Sequence, residues 1–142
     1  MAYYSSETCG YVNNSWIKTD CITNYAQSEV KYVVDTWKIT KAPVASEARL
    51  ITYDELIDNL GYDPTISSSG NPQRNDNVPT WVYNSNYWYW TSSQHQSSSS
   101  SVWNVSGDGG LSGSDVGSNV SCRGVVRPVI TISKSVISST GN

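Results

Sequence analysis

Charge is what this sequence has least of: charged side chains make up 15% of its 142 residues, and the net charge is −3. No Lys or Arg stands between Arg74 and Arg123. A nucleic-acid partner would need a clustered basic face, so none is expected, and anionic membranes are equally poor partners. No apolar run approaches the ~18–20 residues that a bilayer span requires, so no membrane insertion is expected of this segment. The opening MAYYSSETCG has neither a basic start nor an apolar stretch, so no export signal is expected within it.

The residues that do chemistry are also scarce. Histidine occurs once, at His95, and cysteine three times, at Cys9, Cys21 and Cys122. No two of them have ligand spacing, which excludes the common metal sites. Asp76, Asp108 and Asp115 do not read as a calcium loop either, because the Asp-Gly-Gly spacing at 108–110 is that of a hairpin turn. No Ser-His-Asp or Cys-His spacing frames His95, so it is expected to be an exposed loop residue. No catalytic residue, metal or cofactor is expected. Three cysteines leave one unpaired in any connectivity. Cys9 and Cys21 bracket a short polar segment holding Tyr11 and Trp16, and both a local bridge in an exported protein and two free thiols fit that spacing.

What is there is aromatic: six Trp and ten Tyr. Disordered chains are poor in such residues, and this length suffices for one domain with a real core. Residues 1–23 read as an irregular leading segment with one edge strand, and 24–142 as a single ligand-binding domain. Tyr25, Val30, Val33, Val34 and Trp37 recur on one helical face, which predicts a helix over 26–38 with Ser28 as a cap and Pro43 as its stop. Ala48 to Ile51 is extended. Thr52 then heads TYDEL, a capping box with Glu55, and predicts a second helix over 53–60 ended by Gly61. Residues 62–79 read as a long polar loop. Beyond Pro79 the chain is β: VPTWVY, YWYWTSS, SVWNV and LSGSDV around an Asp108-Gly109 turn, and VVRPVITISKS. Two helices ahead of antiparallel strands give an α+β class, with short strands and long loops. Leu50, Leu56, Leu60, Trp90, Trp103, Val126 and Ile130 are the expected core. The strand near 125–132 is expected in the same sheet as Trp103. Arg127 is expected to pair a carboxylate or cap backbone carbonyls.

Between the apolar anchors of 87–123 lie Ser, Gly, Asn and Gln, which have no packing reason to be there. A rigid strand frame carrying interchangeable uncharged side chains is how a binding surface is built. Gln94, His95, Gln96, Asn104, Ser106, Ser112, Ser114, Asp115, Asn119 and Ser121 are expected on one exposed face, with Tyr87 or Trp88 as its aromatic edge. Along Tyr87 to Trp90, alternation sends one pair inward and the other outward. Ser97 to Ser101 reads either as a loop tip or as part of the same polar field.

ARLITYDEL resembles the segment before the conserved helix of C-type-lectin-like domains in formylglycine-generating-enzyme-like and major-paralogous-domain bacterial surface proteins. The order YWTSS, VWNV, DGGLS, VVRPVITISKS is also similar to theirs, and the likeness spans about 25–135. It implies a C-type-lectin-like fold of two helices packed on short antiparallel strands. It further implies a receptor-binding or adhesin-type role, as in the variable proteins of diversity-generating retroelements, with 87–123 as the diversified surface. The expected partner is then a protein or glycan met at a bacterial cell surface, extracellularly or on a phage virion. A structural subunit of a pilus-like or cell-surface assembly is the alternative. The departures limit what carries over. Trp103-Asn104-Val105 has Val where calcium-dependent lectins place a carboxylate, and Cys122 lacks the second cysteine that formylglycine chemistry needs.

Overall fold

A computed structural model describes residues 3, 11–12, 15–16, 25–68, 71–96, 101–115 and 124–140. Three α-helices and nine short strands occur among them, a mixed α+β architecture. Of the leading segment, Tyr11–Val12 (β1) and Ser15–Trp16 (β2) form a two-residue antiparallel ladder. Cys9, Cys21 and Cys122 lie outside the described residues.

At the centre is an antiparallel sheet of Tyr89–Gln94 (β6), Ser101–Val105 (β7) and Leu111–Asp115 (β8), in the order β6-β7-β8. Its register aligns Tyr89 with Val105 and Leu111, and Trp90 with Asn104 and Ser112. Residues in register share a face. The Trp90 face packs with Tyr3, Val30, Val34, Leu50 and Val102. The Tyr89 face packs with Leu56, Tyr62, Val82, Trp103 and Leu111. Both faces are therefore covered, and all five residues of β7 are buried. Trp90 is core as expected, but Tyr89 is buried as well, which corrects the expectation that alternation sends one pair of Tyr87–Trp90 outward. Alternation tells which side a residue takes, but not whether that side is wet.

The first cover is helix α1, Glu29–Lys41, which buries Val30 and Val34. It starts three residues later than expected because Ser28 is the cap: its Oγ accepts from Lys31 N–H at 3.0 Å, while Tyr25–Gln27 forms a 3-10 turn. The second cover includes helix α2, Tyr53–Asp58, which is two residues shorter than expected. Its capping box forms as read. Glu55 N–H donates to Thr52 Oγ1 at 3.1 Å, and Arg49 adds a fork onto the Glu55 carboxylate at 2.6 and 3.2 Å. Burial alone would raise the Glu55 pKa, but these donors from Arg49 and Thr52 hold it below the ordinary value. Tyr53 N–H donates to Ser93 Oγ at 2.8 Å and Ser92 N–H to Ile51 C=O at 3.0 Å, which fix the helix against β6.

Several expected loops and strands are differently organised. Residues 62–79 contain a hairpin, Asp63–Ser68 (β4) with Asn71–Gln73 (β5), rather than a bare loop. In VPTWVY, Thr80–Val82 is a 3-10 turn that buries Val82 and leaves Trp81 58% exposed. The strand expected over 125–132 is divided. Val125 bridges Tyr89 in parallel, whereas Val129–Thr131 (β9) pairs antiparallel with Glu47–Arg49 (β3) in a separate ladder. Pro128 between them cannot donate to a ladder, and this marks the point where the chain changes partners. Ile130 is consequently 42% exposed rather than core, and Leu60 and Val126 are half-buried. A third helix, Lys134–Thr140 (α3), follows where the sequence suggested none. Arg127 caps carbonyls as expected: it donates to Val82 C=O at 3.1 Å and to Trp81 C=O, with its guanidinium 5.1 Å from the centre of the Tyr89 ring.

Trp103 sits in the fully buried strand, 2% exposed and stacked on Tyr53 at 4.7 Å. Trp103→Ala is expected to cost roughly 3–5 kcal/mol, against about 1 kcal/mol for Thr52→Ala at the α2 cap. Urea denaturation of both variants checks this. A Trp103→Ala midpoint as close to the parent as that of Thr52→Ala would contradict the sheet's double burial.

Candidate functional site

The β7–β8 connection is built by Ser106, Gly107, Asp108, Gly109 and Gly110. Gly109 N–H donates to Ser106 C=O at 2.9 Å and Ser106 N–H to Gly110 C=O at 2.8 Å. Gly109 has φ +91°, the left-handed position that closes such a turn and that glycine occupies without strain. The turn is clamped from outside. Arg74 Nε donates to Asp108 C=O at 3.0 Å, and the Tyr62 hydroxyl donates to Gly109 C=O. Arg74 in turn lies over the Tyr83 ring at 4.8 Å. Burial pushes the Tyr62 hydroxyl above its ordinary range and keeps it a donor. The same effect pushes Tyr89 up to about 12, with Arg127 opposing it.

Two groups of expected site residues flank this frame, on opposite faces of the sheet. On the Trp90 face, Asn104 is buried, 3% exposed, and not at the surface as expected. Its Nδ2 donates to Ser114 Oγ at 2.7 Å, and Ser106 Oγ donates to its Oδ1 at 3.3 Å. A buried amide is stable when its polar atoms are taken up in this way. Ser112 and Ser114 are half-buried on β8, in register with Asn104 and Val102 respectively. Gln94, in register with Val102, is exposed at the end of β6, and Gln96 is exposed just beyond it.

His95 belongs to the other face. Its ring lies 4.0 Å from that of Trp103, in space that Gly113 leaves open: a Cβ at 113 would come within 2.6 Å of it. His95 Nε2 is 3.4 Å from Asn71 Oδ1. His95 is thus half-buried and part of the packing, not an exposed loop residue. Those of the expected residues that are described do not make one face.

The expected aromatic edge is only partly exposed. Tyr87 and Trp88 are half-buried, and Trp88 meets Trp90 edge-on at 4.8 Å. Exposed Trp81 is the large aromatic side chain that sequence reasoning placed in a strand. For Asp115 the structure gives only the backbone pairing with Ser101, and Ser101 itself is buried in β7. Asn119, Ser121 and the serines at 97–100 lie outside the described residues.

Beside the clamped turn is a polar cleft of about 270 Å³, walled by Asn71 and Gln73 of β5 on one side and by the turn with Ser112 on the other. Asn71 and Gln73 were hidden in a stretch read as loop. The available signal was Asn-Pro-Gln alternation, with Pro72 buried between two half-exposed amides on a strand that tolerates proline at its edge.

No protein family model, characterised protein or solved structure matches the chain. Among the described residues no three His, Cys, Asp or Glu gather as a metal site, and no helix is long and apolar enough to cross a membrane.

Desolvation lowers the His95 pKa below the ordinary value, which is about 6.5. The unfolded chain therefore takes up this proton first as pH falls. The stability contributed by neutral His95 is complete above about pH 6.5 and is lost as pH drops through the lower folded value. His95→Gln is expected to flatten the stability profile below about pH 6.5, measured by urea midpoints at a series of pH values. An unchanged slope would mean that His95 is solvated.

Proposed function

We propose that the chain is a non-catalytic ligand-binding domain of receptor-binding or adhesin type, displayed at a bacterial cell surface or on a phage virion. The observation that carries this reading is the contrast along one sheet. β7 is buried throughout, while exposed Gln94 and Gln96 and half-buried Ser106 and Ser112 offer uncharged hydrogen-bonding groups at its margins. A rigid backbone under small adaptable side chains keeps the ordering cost of binding low.

The C-type-lectin-like likeness, and with it the relation to diversity-generating retroelement variable proteins, rests on the order of the motifs. The separate pairing of Val129–Thr131 counts against it, since the terminal strand was expected beside Trp103 and only Val125 reaches the central sheet. The binding reading does not depend on that likeness. The binding surface is also narrower than the sequence suggested. It comprises Ser106 and Ser112 at the polar cleft, with Asn104 beneath Ser106, and exposed Gln94 and Gln96 at the far end of β6.

A structural-subunit role is favoured by a different observation, the outer face of α1. Tyr32 and Ile39 are 68% and 74% exposed there, where a solvated helix usually carries charge.

A display library randomised at 94, 96 and 112 separates the two. Binding predicts that most members keep the parent stability within about 0.5 kcal/mol and that the library yields target-specific binders. Widespread loss of folding, or no binders against any of several unrelated targets, would remove the reading. The surface carries almost no charge, so the affinity of selected binders without new charges is expected to change little between 50 and 500 mM salt.

A further inference from the structure

We propose that the cleft between β5 and the β7–β8 turn is a metal-independent site for one neutral sugar unit. This inference rests on the binding reading above and names the ligand class of one part of that surface. The argument is an inventory of hydrogen-bonding capacity left over after the protein's own bonds are made. Gln73 Nε2 donates to Asn71 C=O at 3.1 Å, which leaves Gln73 Oε1 as an acceptor. Asp108 Oδ1 accepts from Gly110 N–H at 2.9 Å, which leaves the second carboxylate oxygen. Ser106 donates its proton to Asn104, and its oxygen remains an acceptor. Asn71 turns Oδ1 toward His95, so its NH₂ supplies donors. The Ser112 hydroxyl donates or accepts as needed.

The cleft thus presents acceptors and donors interleaved over a small volume, with one carboxylate and no cation in its walls. An anion would face Asp108. A cation would face the Asn71 NH₂ and find no second carboxylate in the walls to complete its coordination. Neutral hydroxyls, each donor and acceptor at once, satisfy both kinds of group. The volume of 270 Å³ equals about nine waters at ~30 Å³ each and falls below the ~300–1,000 Å³ of drug-sized sites. That is room for a single ring. The walls are held by Arg74, Tyr62 and the turn's own bonds before any ligand arrives, so little ordering remains to be done on binding.

Saturation-transfer-difference NMR on the intact chain tests this, with glucose, galactose and N-acetylglucosamine as probes, N-acetylneuraminic acid as the anionic control, and EDTA throughout. At least one neutral sugar is expected to show saturable transfer that EDTA leaves unchanged. Asp108→Asn keeps an oxygen for Gly110 N–H but removes the charged acceptor. Ser112→Ala removes the hydroxyl and leaves the β-carbon in place. Each is expected to weaken binding about tenfold while amide spectra away from the cleft stay unchanged. No transfer from any neutral sugar, preference for the anionic sugar, dependence on calcium, or transfer indifferent to both variants would each overturn the proposal. If the sugars are silent while the library still yields protein binders, the sugar site fails and the binding reading stands.

Discussion

Burial of β7 on both faces is the constraint from which the rest of the structure follows. A strand with Val102 and Asn104 toward one core and Trp103 and Val105 toward the other needs cover on both sides. Residues 28–51 supply one cover and 51–82 the other. Leu50 and Ile51, adjacent in sequence, drop into opposite clusters and mark where the chain crosses from one to the other. The α2 cap sits at that crossing. Its threonine, its glutamate and the Arg49 fork hold the helix start where Tyr53 can stack on Trp103. Capping, crossing and core packing are therefore one arrangement seen at three scales.

The site depends on the same constraint. Because β7 cannot move, β8 and its turn are fixed from within, and Arg74 and Tyr62 fix them from without. The polar groups around the cleft are then arranged by frame contacts that contain no ligand. Asn104 shows how closely frame and surface are linked. It is buried, yet its amide bonds to Ser106 and Ser114, so the surface serines are oriented by a core residue.

Local signals in the sequence carried much of this. Ser28, the Thr52–Glu55 box and the Asp108-Gly109 turn each follow from short-range chemistry, and each stands where that chemistry put it. Leu50, Leu56, Trp90 and Trp103 were equally legible as core. What stayed hidden depends on long-range partners. Asn104 looks like a surface residue until the two serines that satisfy it are in place. His95 looks exposed until Gly113, on the far side of the β7–β8 turn, opens a seat for it. Residues 62–79 are too polar to signal a hairpin, because β4 and β5 lie at the margin of the fold with only Pro72 buried in β5. The terminal strand was mistaken for one element because apolar residues on both sides of Pro128 read continuously, although they serve different ladders.

The seat of His95 has a consequence for how this sequence can change over generations. A β-carbon at position 113 would come within 2.6 Å of the imidazole above it, so a side chain there needs His95 to move aside. A smaller residue at 95 would free that space, and with it the choice of residue at 113. The two positions are therefore coupled: a substitution at 113 disturbs packing beside histidine and does so less once 95 has shrunk. Drift at 113 is therefore easier after a change at 95, and lineages that have made that step have a wider choice of β8 sequences.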